Sequence, residues 1–370
     1  MKRILTLLFT VFIVVGAFAD DDRFHFGISP RIFGLAVGAQ FALSEPEVAD
    51  VETSVIGTLS GAYESSSYFR LPDGSLFTSG AGGYSSDDAS INRIDLLWEV
   101  GIQQGILPGT DGVTDRAAAY ALYRGQYDYP LADTTSLFAN SGLPEADGGL
   151  LGAMVLGVFY DGTSKQPVTH VQEGLFGDAA VEWAPEFLHN QVLGEADYAR
   201  TTVAAGAFLP LFVAEPRDGM NRFASYLGVM GIVDWAHGTA IPFAVRSTTG
   251  GRSIRPATGG SVRGIETLRF DASLKAIGNV DLRLNLPAIG LPSISPGIVI
   301  YTDLGYYNDL EMVSPQTDEN SGVLVTSGIG VSIDMFDLVT LVFYTNFLWN
   351  ETDIDGKSWV PFSLGFGYHF

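Results

Sequence analysis

The heptapeptide Val280-Asp281-Leu282-Arg283-Leu284-Asn285-Leu286 carries an apolar side chain at every even position and a polar or charged one at every odd position. Successive side chains of an extended chain point to opposite faces, so this is a strand with one apolar and one polar face. The same period runs through Ile94, Leu96, Trp98, Val100 and Ile102, opposite Arg93, Asp95, Glu99, Gly101 and Gln103. It returns in Val203, Ala205, Ala207, Leu209 and Leu211, alternating with Thr202, Ala204 and Gly206, and again in Ile329, Val331, Ile333 and Met335, alternating with Gly328, Gly330, Ser332 and Asp334. At the carboxyl end Val360, Phe362, Leu364, Phe366, Tyr368 and Phe370 share one face, and Ser363, Gly365, Gly367 and His369 the other.

A soluble sandwich also alternates. Here, however, the segments have the length of tilted membrane strands, roughly 9 to 11 residues, and the face opposite each apolar row is small or polar. That suits one face in lipid and the other lining a lumen. A chain closing on Tyr368, His369 and Phe370 matches the terminal-aromatic signal by which outer-membrane barrels are recognised, which implies the barrel-assembly machinery as a partner during biogenesis. The expected fold class is all-β: a transmembrane antiparallel β-barrel. A strand and its connection use roughly 20 to 24 residues, which leaves room for about 14 to 16 strands.

Composition fits this reading and excludes others. Of 370 residues 46% are hydrophobic and 44 are glycine; there is no cysteine, and the formal net charge is −22. The absence of cysteine removes disulfide scaffolds, thiolate zinc sites and thiol catalysis. The acidity argues against nucleic acid, which needs clustered Lys and Arg. Residues 1–19 read as a cleaved secretory signal: Lys2 and Arg3, the apolar run Ile4 to Val15, then Ala17-Phe18-Ala19 before Asp20. Residues 20–370 then form one barrel, exported to the outer membrane of a diderm bacterium and embedded in its lipid. Stretches 72–90 and 108–116, rich in Gly, Asp, Ser and Pro, read as surface loops.

One segment breaks the acidic pattern. Between Arg246 and Arg269 lie five of the protein's 20 basic residues, Arg246, Arg252, Arg255, Arg263 and Arg269, against the single acid Glu266. A glycine-rich cationic loop in an anionic barrel has an electrostatic destination in the lumen. A solvated loop, or one that binds anionic headgroups, is the alternative on composition.

Val262-Arg263-Gly264-Ile265, then Gly278-Asn279-Val280-Asp281-Leu282-Arg283, then Tyr301-Thr302-Asp303-Leu304-Gly305 follow one another in order. In this the chain resembles the BamA/TamA and two-partner-secretion (TpsB) superfamily of outer-membrane barrels, the bacterial surface antigen domain, and most strongly over residues 175–370. The resemblance implies sixteen strands and a long extracellular loop folded into the lumen, its Arg-Gly tip latched by a salt bridge from Arg263 to Asp303. Alternation independently places Asp281, Arg283, Asp303 and Gly305 on the face away from lipid. Two positions depart from the family pattern: Ile265 stands where an aromatic is usual, and Asp281 where Glu is. Only a few residues, Asp20 to about Phe26, precede the first strand-like segment near Arg31 to Leu43, so no periplasmic POTRA domain of about 50 residues fits.

No catalytic residue, cofactor or metal site is expected. The five histidines (His25, His170, His189, His237 and His369) are scattered, no nucleophile elbow, P-loop or zinc-protease motif occurs, and Asp111 to Asp115 reads as a solvated turn. Three functions remain: insertion or translocation of proteins or lipids, with client outer-membrane proteins or a separate periplasmic partner; a plugged porin or fatty-acid-type transporter; and a structural surface antigen.

Overall fold

The computed structural model describes residues 24–31, 34–48, 51–108, 115–131, 135–166, 169–188, 190, 192–214, 223–247, 261–266, 269–287, 294–310, 321–335 and 339–368. The signal segment 1–19, Arg252, Arg255, most of the Asp111 turn and Phe370 lie outside them; Tyr368 is placed in its strand by backbone alone.

Alternation produces β1 (Phe24–Arg31), β2 (Gly34–Val48), β3 (Val51–Ser67), β4 (Ser90–Pro108), β5 (Asp115–Pro130), β6 (Gly149–Asp161), the two-residue β7 (Ser164–Lys165), β8 (Gln172–Ala184), β9 (Asp197–Val213), β10 (Ala224–Ala240), β11 (Leu274–Asn285), β12 (Ile294–Asn308), β13 (Ser321–Met335), β14 (Val339–Leu348) and β15 (Trp359–Tyr368). All but β7, which pairs only with β8, form one antiparallel sheet in chain order. The edge strands β1 and β15 come within 8 Å of each other, so the sheet curls into a cylinder. No ladder joins them among the described residues.

Among the described residues the sheet has fourteen strands in chain order, where the family resemblance implies sixteen. Several strands run well beyond the spanning minimum: β4 has 19 residues and β3, β9 and β10 have 17 each. β1 also begins at Phe24, earlier than alternation suggested.

Burial decides between a barrel and a sandwich. In β11 the polar Lys275, Asn279, Asp281, Arg283 and Asn285 are buried, while Val280 is 43% exposed. In β12 Tyr301, Asp303, Gly305 and Tyr307 are inside, and Ile300, Leu304 and Tyr306 outside. Leu59, Val100, Ile102, Leu156, Leu175, Leu211 and Val331 are likewise exposed by more than half. A sandwich would reverse this order; apolar outside and polar inside is stable only against lipid.

From β3 onward the connections are long at one end (68–89, 131–148, 185–196, 241–273) and shorter at the other. At the long end, stretch 72–90 is more than a solvated loop. Tyr68, Phe77, Ala89, Leu137 and Phe138 pack on Phe243 of the short helix α1 (Phe243–Ser247), an apolar dome over the mouth of the cylinder. Burial there, with the Asp271 carboxylate, pushes the Tyr68 phenol up to about 12. At the other end the amide of Asn285 donates to the Thr169 carbonyl at 2.9 Å, so the β6–β8 connection turns inward across the lumen. The inner wall nearby is apolar, with Phe176, Phe208, Tyr226 and Met230 in one cluster.

Candidate functional site: the arginine tip inside the barrel

The connection from β10 to β11, residues 241–273, supplies the tip, and the odd positions of β11 and β12 supply its receptor. Asn279 pairs with Asp303 across the two strands and Asp281 with Tyr301, so one polar row lies beside the next on the inner face. Arg263 reaches that row with a fork of donors. Its Nε donates to Asp303 Oδ2 at 2.8 Å and its Nη2 to Asp303 Oδ1 at 2.6 Å, while Nη2 also meets Asp281 Oδ1 at 2.5 Å. The Arg263 backbone N–H donates to Asp303 Oδ2 at 2.9 Å. Asp303 has no exposed surface.

Neighbours complete the receptor. Asn279 Nδ2 donates to Asp303 Oδ1 at 2.8 Å and to the Ser261 carbonyl at 2.9 Å, tying the receptor to the loop backbone. Arg283 Nη2 donates to Asp281 Oδ2 at 3.0 Å, so Asp281 is shared between two guanidinium groups. The Arg263 guanidinium lies over the Tyr301 ring, 3.7 Å from its centroid, with Tyr344 at 5.4 Å. Tyr301 in turn donates its hydroxyl to Asn346 on β14. Two carboxylates, an aromatic face and a bidentate geometry hold one arginine in one orientation.

Two glycines make the approach possible. Gly264 has φ of 84°, and a Cβ there would meet Asn346 at 2.7 Å. A Cβ on Gly305 would meet the Val262 side chain at 2.8 Å, so the tip can seat Val262 against Phe270, Ile277, Tyr307 and Leu324, with Ile265 half-buried alongside. A Cβ on Gly278 would meet nothing within 4 Å, and the structure offers no steric reason for that glycine.

The structure thus brings together Val262, Arg263, Gly264, Ile265, Asn279, Asp281, Arg283, Tyr301, Asp303 and Gly305, and leaves Gly278 apart. Sequence reasoning missed a second anchor of the same loop. Lys275 Nζ donates to the carbonyls of Val245 and Arg246 at 2.7 and 2.9 Å, at the carboxyl end of α1. Arg246 Nη1 pairs with Asp271 at 2.7 Å, and the Phe243 N–H donates to Glu145 Oε1 at 2.9 Å. Burial raises the pKa of the Glu145 carboxyl. The one available signal was parity: Lys275 falls on the odd row of β11 that holds Asn279, Asp281 and Arg283.

A further polar network runs along the inner wall from β4 to β10 and ends on Asp234, 3.9 Å from Lys275. Arg124 bridges Glu99 at 2.8 Å and Glu182 at 2.7 Å, and Arg200 forks onto Asp234 with both bonds at 2.7 Å. Between this wall and α1 is a cavity of about 620 Å³.

No family model and no curated protein matches the chain in sequence. Among solved structures it is similar to BamA from Haemophilus ducreyi lacking POTRA domains 1-3, at 13% identity and a TM-score of 0.52, over 93% of this chain and 64% of that one. It is also similar to CdiB from Escherichia coli, at 13% identity and a TM-score of 0.50, over 90% of this chain and 52% of that one. The chain spans less than two thirds of either structure. These likenesses are likenesses of fold: a β-barrel of the kind seen in BamA and CdiB.

Proposed function

We propose that this chain is an outer-membrane barrel of BamA type that assists insertion or translocation of proteins or lipids, with Arg263 and Asp303 as the latch that seats its loop. The observation that carries the proposal is the Arg263 tip forked onto Asp303 and Asp281, inside a barrel with the BamA and CdiB fold. On this reading residues 1–19 direct export, and β1 and β15 meet at a weakly joined seam. An edge strand presents unpaired backbone groups that a client strand can template.

The test is depletion in the native organism followed by quantitation of the outer-membrane proteome and lipids. Loss of other barrels or of a lipid class supports the reading; unchanged amounts refute it. The cavity beside the loop favours a second reading, a plugged solute transporter. That reading predicts conductance or uptake in liposomes without loss of other barrels.

A further inference from the structure

The β6–β8 connection enters the lumen from the end opposite the dome, where the short connections of an outer-membrane barrel face the periplasm. The ladder between β6 and β8 closes on Asp161 and Phe176, and β8 joins β9 from Gly174 onward. Before Gly174 the chain leaves the wall. Glu173 and Gln172 pair instead with Ser164 and Lys165 of β7, in a hairpin of their own. Gly174 is the point of departure: its φ is 107°, and a Cβ there would collide with the Gly162 carbonyl oxygen, so only glycine fits.

The hairpin holds itself together. The Gln166 N–H donates to the Val171 carbonyl and the His170 N–H to the Gln166 carbonyl, each at 2.9 Å, and Thr169 Oγ1 donates to Gln166 Oε1 at 2.9 Å. Meanwhile β9, β10 and β11 run on past Gly174 to a last rung where Val213, Ala224 and Asn285 are in register. The hairpin lies across their inner face. Val171, with no exposed surface, packs with Phe176, Phe208, Tyr226 and Met230 of the wall, and the Thr169 carbonyl accepts from Asn285 Nδ2 on that last rung. Apolar side chains facing a wet lumen are destabilising, and the hairpin covers them. No backbone ladder joins residues 163–173 to β9, β10 or β11 among the described residues. The hairpin can therefore leave the wall without breaking a wall ladder.

We infer that this hairpin, residues 162–166 with 169–174, is an inner gate of the barrel: a strap that swings on Gly174 between a closed position against the wall and an open one, with Asn285 as its latch. The lumen then has two separate closures, the arginine tip from the side of the dome and the strap from the other end. The inference goes beyond the proposed role in insertion and does not depend on it, because it rests on the wall from β8 to β11 and not on a client.

The chain has no cysteine, so Val171→Cys and a control in a different cluster on β6, Val155→Cys, 2% exposed in the native chain, each carry a single thiol. Modification by a sulfonated maleimide is followed on the purified full chain, folded in nonionic detergent. A strap that opens by itself exposes position 171 while the barrel stays folded, so Val171→Cys should react about tenfold faster than Val155→Cys. Adding Asn285→Ala, which removes the latch donor, should speed Val171→Cys by up to about tenfold, the scale of one buried hydrogen bond, and leave Val155→Cys unchanged. Single-channel conductance gives a second readout. Gly162 already donates its N–H to the Leu175 carbonyl, so exchanging residues 163–174 for Asn-Gly closes β6 onto β8 by a two-residue turn. In the Arg263→Ala background, where the outer loop is unseated, the strapless barrel should conduct more than the background alone. Equal rates for the two thiols would overturn the inference. So would equal acceleration of both by Asn285→Ala, or unchanged conductance in a strapless variant whose heat-modifiable mobility shows it folded. Should the strapless variant or Asn285→Ala fail to fold, the two single-thiol rates decide alone.

Discussion

Replacing Arg263 with alanine tests the latch where the energy is concentrated. The side chain is forked on Asp303, which has no exposed surface, and also touches Asp281, which is 3% exposed. Removing one member of a buried ion pair costs about 3 to 5 kcal/mol, because the other charge stays buried without its partner. The remaining contacts limit the loss: Asp281 keeps Arg283 at 3.0 Å and Asp303 keeps Asn279 at 2.8 Å. The expectation is therefore the lower end, about 3 kcal/mol, or about a hundredfold in the equilibrium between seated and unseated loop. Three assays on barrels refolded into liposomes read it: the urea midpoint by heat-modifiable mobility, cleavage within 241–273 by external protease, and single-channel conductance. Arg263→Ala should lower the midpoint, expose the loop and raise conductance. Adding Asp303→Asn to Arg263→Ala should recover part of the loss, since the stranded carboxylate is then gone. Wild-type midpoint, protease resistance and conductance in Arg263→Ala would refute the reasoning.

Other expectations follow from the same contacts. Gly264→Ala combines a φ of 84° with a Cβ that would meet Asn346 at 2.7 Å, so it should destabilise the seated tip by about 1 to 3 kcal/mol, read as protease sensitivity of the loop. Lys275→Met should free the carboxyl end of α1 while leaving the Arg263 contacts intact, so that cleavage near 243–247 rises without cleavage at 261–266. Glu145 gives a pH dependence with a definite sign. Burial raises its carboxyl above 4.5, so the folded state holds the proton more tightly than the unfolded one. Its contribution is complete below the unfolded value and is lost as pH rises through the raised folded value. Urea midpoints measured from pH 4 upward should show this slope, and Glu145→Gln should flatten it.

The period of two made most of the tip's receptor legible in the primary sequence. Asp281, Arg283, Asp303 and Gly305 share a face because strand geometry leaves no other choice, and the inversion of apolar outside with polar inside follows from which face is larger and greasier. Ordered short motifs then pointed from Arg263 to Asp303. The Lys275 and Glu145 anchors were not readable, because Phe243 and Glu145 are 98 residues apart and meet only when the long connections fold over one mouth of the cylinder. The Tyr301 ring under Arg263 was not readable as a contact either, since alternation assigns a face and not a neighbour.

Strand number shows the same division. Local pattern tells where a strand runs but not how far it continues beyond lipid, and β4 reaches 19 residues in a described sheet of fourteen strands. Alternation is a property of adjacent residues, so it survives in the sequence: all-β class, inward polar rows and the cationic loop are already there. Whether a loop lies on the wall or across the mouth depends on how the sheet curls, which sums small twists over every strand. Only that curled geometry seats the arginine on two carboxylates and brings Lys275 and Glu145 onto α1.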